Sequence, residues 1–165
     1  MNDSSIALRI DINLDRQTLT LAGPAGEVLA EYPVSTGLNG AGEQDGSGCT
    51  PRGDHYVRAM IGAEQPEGTV FRGRRPTGEI YSKELAQAHP DRDWILSRIL
   101  WLCGRESGRN RGPGVDTFRR FIYIHGTPDT EPMGVPMSHG CVRMRNADVI
   151  DLFQRVKPGT PVTIR

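Results

Sequence analysis

An imbalance of charge is the first thing this sequence lacks. Lys plus Arg number 20 and Asp plus Glu number 20, so the formal net charge is zero. A nucleic-acid binder needs an excess of cations to neutralise phosphates, so that partner is not expected. Long apolar runs are missing too. Nothing approaches the roughly 20 apolar residues that cross a bilayer as a helix, and no membrane partner is expected. The opening "MNDSSIALRIDINLDR" has no positively charged start leading into an apolar run, so it does not read as a secretory signal. Cysteine is scarce: Cys49, Cys103 and Cys141 are odd in number and widely spaced, unlike a disulfide framework. The expectation is a cytoplasmic chain with reduced thiols. The glycine-rich stretch "GLNGAGEQDGSG" lacks the lysine and hydroxyl residue of a phosphate-cradling loop.

Glycine and proline are plentiful, at 20 and 12 of 165 residues. That many turn formers favours β structure and long functional loops over a helix bundle. The length suits one domain, 1–165, with a monomer as the default. Ile6, Leu8, Ile10, Ile12 and Leu14 alternate with the period of a half-buried strand. "QTLTLA", "GPAG" and "EVLAEYPVSTG" follow as a hairpin. "DHYVRAMIG" reads as a strand, and "SKELAQAHP" as a short helix stopped by Pro90. "DWILSRILWLCG" is ambiguous, but its β-branched and aromatic content favours a strand. "FRRFIYIHG" reads as a strand ending on His125. "RNADVIDLFQRVKPG" is the best helix: Asn146 can cap it, and Val149, Leu152, Phe153 and Val156 share one face. "TPVTIR" closes the chain as a strand.

The chemistry concentrates in "SHGC", Ser138 to Cys141. A thiol with a pKa near about 8.5 attacks carbonyls only as the thiolate, so a cysteine nucleophile needs a base or positive charge beside it. It also needs N–H groups aimed at the developing oxyanion, and Gly140 permits the turn that could aim them. Two bases are available. His139 is close in sequence; His125 sits at a strand end sixteen residues upstream. The loop "GTPDTEPMGVPM" can return the chain so that His125 meets Cys141. A backbone carbonyl such as that of Gly126 could hold its other ring nitrogen. A zinc site from His125, His139 and Cys141 lacks further clustered ligands, so no metal or other cofactor is expected.

His125-Gly126-Thr127, followed after a gap by Ser138-His139-Gly140-Cys141-Val142-Arg143, resembles the signature of the L,D-transpeptidase catalytic-domain (YkuD-like) family. "CTPRG", Cys49 to Gly53, resembles the turn that precedes a strand in the same family. The resemblance implies a mainly β fold, a mixed sandwich or open barrel with a few short helices. It implies a cysteine acyltransferase acting on peptidoglycan stem peptides, with Cys141 as nucleophile and His125 as base. His139, Gly140 and Cys141 would form the oxyanion region through backbone N–H groups. Arg143 would bind a substrate carboxylate with its planar fork, with Ser138, Gly126 and Thr127 lining the substrate. Familiar members act outside the cytoplasm. A cytoplasmic relative would instead meet recycled muropeptides, with water as acceptor, trimming tetrapeptide to tripeptide as an L,D-carboxypeptidase. Cross-linking L,D-transpeptidation is the alternative, and a non-catalytic muropeptide-sensing module is an alternative of another class. Carbapenems could acylate Cys141.

Outside that block, the run "GRESGRNRGPGVDTFRR" reads either as a solvated loop with ion pairs or as a wall that receives carboxylates. Arg98, set among apolar residues, needs an acid or the substrate as a partner. Arg109 and Arg111 come next. Tyr123 alternates with Ile122 and Ile124 and could face either side. Cys49 and Cys103 read as packing residues, His55 and His89 as satisfied or surface histidines, and Trp94 and Trp101 as core.

Overall fold

The computed structural model describes residues 8–165, so Ile6 of the first alternating run lies outside the described residues. The remaining alternation forms β1 (Arg9–Asn13), with Ile10 and Ile12 inward, paired to β2 (Thr18–Ala22). A turn at Gly23–Gly26 leads to β3 (Val28–Pro33) as anticipated. β4 (Gly53–Ile61) and the long β7 (Ile95–Gly104) pair antiparallel, which resolves the ambiguous segment as a strand. Between them lie β5 (Thr69–Arg72), β6 (Arg75–Ile80) and α1 (Lys83–Ala88). The β5–β6 hairpin had no clear signal in the sequence. Ser82 caps α1, its Oγ accepting from the Leu85 N–H at 3.0 Å.

β8 (Tyr123–Thr127), β9 (Val142–Arg145), α2 (Asn146–Arg155) and β10 (Pro161–Ile164) complete the chain. β8 is shorter than the apolar run suggested, because residues 118–121 form a turn. The strands make one sheet in the order β3-β2-β1-β10-β4-β7-β5-β6, with β8 branching from β7 and carrying β9. The sheet curls into a half-barrel, so the fold is mainly β and of the open kind.

One face of β7, β8 and β9 packs on α2. Leu100, Ile124, Val142 and Met144 meet Val149, Leu152 and Val156 there in the main core. Phe153 packs against its edge. The opposite face carries a smaller cluster, Phe71, Ile99 and Tyr123, with Ile95, Trp101 and Cys141 packed against it. Asn146 does not cap α2 as anticipated. The cap position falls on Arg145, which makes no side-chain cap. Asn146 is buried as the first helical residue, donating to Thr127 O at 3.0 Å and accepting from Ser97 Oγ at 2.5 Å. The carboxylate of Asp129 accepts the Asn146 N–H instead, at 3.3 Å, where a negative group suits a helix start. Buried tertiary partners have taken the side chain that local capping would have used.

Candidate active site

Two strand registers build the site. β8 and β9 run parallel, with Ile124 opposite Val142 and His125 opposite Arg143. Side chains alternate across a strand. Ile124 and Val142 enter the α2 core, so Tyr123, His125, Cys141 and Arg143 all turn to the opposite face. Cys141 stands one position before the register, beside Tyr123 and diagonal to His125 on that face. A bulge in β7 lies next to them. Leu96 pairs with Gly126 and Ile99 with His125, so Ser97 and Arg98 are extra. Ser97 is fully buried at φ +70°. Its Oγ accepts from the Gly68 N–H and donates to Asn146, and these partners hold it in that conformation.

His125 is buried, and its Nδ1 lies 2.6 Å from its acceptor, Gly126 O. A carbonyl only accepts, so Nδ1 carries the hydrogen and Nε2 is left as the basic atom. Burial lowers the imidazole pKa. The Gly126 carbonyl and Asp93 raise it in part, and Arg143 lowers it further. His125 therefore rests neutral and able to take a proton.

The Cys141 thiol donates to Phe121 O at 3.3 Å and accepts the Tyr123 N–H at 3.3 Å. Burial pushes its pKa up to about 12. The Tyr123 N–H, Arg143 and Arg120 oppose that rise, while Asp93 adds to it. The resting thiol is therefore protonated, with one N–H donor, that of Tyr123, on the sulfur and two cations near enough to favour the thiolate.

The turn before Cys141 is internally bonded. Ser138 Oγ donates to Cys141 O at 2.5 Å and accepts the Gly140 N–H at 3.1 Å. Gly140 has φ +125°, and a Cβ there would come within 3.0 Å of Cys49 O. Its carbonyl accepts from Thr50 Oγ1 at 2.8 Å, and Thr50 Oγ1 accepts the Gly37 N–H. The "CTPRG" turn thus staples the glycine-rich loop to the thiol turn. Two expectations change. Buried Ser138 shapes the turn and has no free group for substrate. The Gly140 N–H is committed to Ser138, whereas the N–H groups of His139 and Cys141 make no hydrogen bond among the described residues. Those two are the donors open to an oxyanion.

Arg143 is nearly buried. Its Nη2 lies 3.4 Å from Asp93 Oδ1, whose other oxygen is 3.7 Å from Nδ1 of the exposed His139. These residues, with Asp91, Thr127 and Glu131, border a recess of about 230 Å³. Gly126 does not line that recess; it lies in β8, pressed against Leu96 and Asn146. Tyr123 turns its hydroxyl to accept from Arg74 Nη1 at 3.1 Å, beside Cys141. Arg74, between β5 and β6, also sits over the Trp101 and Phe121 rings at 4.9 and 5.0 Å. Trp101 is half-buried on this face, stacked on Phe118, and is not part of the main core.

Arg98 is elsewhere. Its guanidinium donates to Gln65 O and Ser97 O and lies over Phe153, toward α2, because the bulge turns it away from Ile99. Backbone carbonyls and an aromatic ring are the partner that the sequence left open. In the arginine-rich run, Arg109 pairs with Glu106 and Glu43. Arg120 donates to Cys49 O at 2.7 Å and Gly42 O at 3.3 Å, close enough to act on the Cys141 sulfur. Cys49 is half-buried, and His55 is buried with Gly53 O and Thr117 Oγ1 as partners. Sequence reasoning missed Asp93, Arg74 and Arg120. Asp93 lies fifty residues from Arg143 with no local motif to mark it.

Residues 7–164 match the family model described as the L,D-transpeptidase catalytic domain. The chain is 29% identical over 147 residues to "Probable L,D-transpeptidase ErfK/SrfK" of Salmonella typhimurium, a match covering 86% of this chain and 39% of that protein. It therefore spans well under half the length of that relative. Among solved structures it resembles L,D-transpeptidase 3 from Mycobacterium tuberculosis in complex with a faropenem-derived adduct, with a TM-score of 0.59 and 17% identity over 96% of this chain and 60% of the other. It also resembles LdtMt1 in complex with imipenem, with a TM-score of 0.55 and 21% identity over 96% of this chain and 59% of the other. At these identities the likeness is one of fold.

Proposed function

Because the chain belongs to the L,D-transpeptidase catalytic-domain family, we propose that it is a cysteine acyl-enzyme peptidase acting on peptidoglycan stem peptides. In this reading Cys141 gives its proton to Nε2 of His125, and the thiolate attacks the carbonyl of the third stem residue. The oxyanion takes the N–H groups of His139 and Cys141. Collapse breaks the peptide bond, and the departing D-alanine amine takes the proton back from His125. Water, deprotonated by His125, then opens the thioester and restores the thiol. Arg143 holds a substrate carboxylate. The observation that carries the reading is the shared face of His125, Cys141 and Arg143 in the β8–β9 register.

Hydrolysis, as an L,D-carboxypeptidase trimming tetrapeptide in cytoplasmic muropeptide recycling, is the finer part of the proposal. Arg74 supports it, clamping the hairpin to Trp101, Phe121 and Tyr123 and walling one approach to the thiol. The free thiols of Cys49, Cys103 and Cys141 suit a reducing compartment. Transpeptidation is the second reading. It draws support from the recess on the other side, where the carboxylates of Asp91 and Glu131 would attract an amine acceptor. Covalent capture of carbapenems by Cys141 belongs to the same proposal, supported by the imipenem and faropenem-derived species in the structures of similar fold.

Purified protein with a disaccharide-tetrapeptide tests the proposal. Hydrolysis yields tripeptide and free D-alanine, whereas transpeptidation yields dimers. Tetrapeptide that stays intact, with no acyl-enzyme in the mass spectrum, refutes both and leaves the muropeptide-sensing module.

A further inference from the structure

Arg143 presents a problem of charge. Its side chain is only 12% exposed, and a guanidinium so far from water needs partners, yet unlike Arg98 it meets no backbone carbonyl or aromatic ring among the described residues. The one carboxylate within 4 Å of it among the described residues is Asp93, and the pair is poorly made. The contact is a single one of 3.4 Å, where a charge-assisted hydrogen bond is about 2.7–2.9 Å and a carboxylate can engage both arms of the fork. Asp93 is itself 48% exposed, and its second oxygen reaches only toward His139. It lies in the irregular segment between α1 and β7, with no ladder bond to hold it in place.

We propose that Asp93 is a placeholder: an exchangeable carboxylate that occupies the Arg143 guanidinium until a carboxylate of the substrate displaces it. This rests on the reading of Arg143 as the carboxylate-binding residue. Asp93 is a positioning residue, acting through Arg143. The loose geometry makes displacement cheap, since half-exposed ion pairs contribute little. A bidentate newcomer gains the second arm of the fork that Asp93 leaves unused. Asp93 and Arg143 act oppositely on both Cys141 and His125, and a substrate carboxylate seated on Arg143 would act on them in the same direction as Asp93.

The test compares two alkylating agents on the full chain. Iodoacetate carries a carboxylate and iodoacetamide does not, yet both report the same sulfur. Their rate ratio at Cys141, mapped by peptide mass spectrometry, cancels any change in thiolate fraction. Asp93→Asn should raise the iodoacetate-to-iodoacetamide ratio by about two- to fivefold. Asp91→Asn, which removes a carboxylate from the same recess without freeing Arg143, should move it by less than about 1.5-fold. In an Arg143→Gln background, Asp93→Asn should have no effect on the ratio. With tetrapeptide, Asp93→Asn should lower KM by a larger factor than it changes kcat. An unchanged or lowered ratio in Asp93→Asn overturns the placeholder. So does an equal rise in Asp91→Asn, or a rise that persists without Arg143. Because the alkylation arm needs no peptide, a protein that shows the predicted ratios but never forms an acyl-enzyme refutes the proposed function alone.

Discussion

Replacing Gly126 with alanine should disable the site through its backbone. A Cβ at this position would lie 2.5 Å from Leu96 O and 2.6 Å from Asn146 Oδ1, where ordinary contact begins at 3.4 Å. Close to an ångström of movement is needed, and neither neighbour can give. Leu96 belongs to the ladder between β7 and β8, and Asn146 Oδ1 is held by Ser97 Oγ at 2.5 Å. β8 must therefore shift away from β7, carrying His125 and the Gly126 carbonyl that orients it. Overpacking of this kind costs about 1–3 kcal/mol. Misplacing a catalytic group by about 1 Å costs roughly 10² in rate. Urea melts give the first quantity, and kcat/KM for D-alanine release gives the second. Gly26→Ala is the control: nothing lies within 4 Å of its added Cβ, and its φ of +82° confines the cost to stability. Wild-type stability and rate in Gly126→Ala would refute the packing argument and the placement of His125 that depends on it.

Cys141→Ala should abolish turnover and acylation while leaving the urea midpoint near wild type; surviving activity would remove Cys141 as nucleophile. His125→Ala should lower the rate by roughly 10²–10⁴, and a fall below about threefold would move the base to His139. His55 makes stability depend on pH: burial, its largest influence, lowers its pKa from 6.5 to about 4. The neutral ring is the folded form, so its contribution is full above pH 6.5 and is lost as pH falls toward 4. The loss is on the order of 3 kcal/mol, read from urea melts across that window; a flat profile would contradict it. Arg74→Ala should open the wall beside the thiol and raise the ratio of dimer to tripeptide, measured by chromatography of the products. No change in that ratio would separate the hairpin from acceptor choice.

How much was legible beforehand depended on range. β1, β4 and β7 could be read because alternation, β-branched content and glycine stops act over a few residues. His125 and Cys141 were legible as candidates through the family signature they resemble, and a ring nitrogen of His125 does meet the Gly126 carbonyl. The β5–β6 hairpin was not legible, since β5 is buried on both faces and β6 exposed on both, so neither strand alternates. Nor was the fate of Asn146, whose local capping preference yielded to Ser97 and Thr127 across the core.

The chain's own order thus determined which residue types stand near one another along the backbone, and with them the thiol, the imidazole and the turn between. The tertiary structure alone decided which of them share a face. The parallel register of β8 and β9 turned Arg143 toward the thiol, while a two-residue bulge in β7 sent Arg98 toward α2. It also brought Asp93 to Arg143 across fifty residues of chain. Side-chain direction changes with each residue of register or bulge, and that count is set by the partner strand rather than by the residues that carry the chemistry.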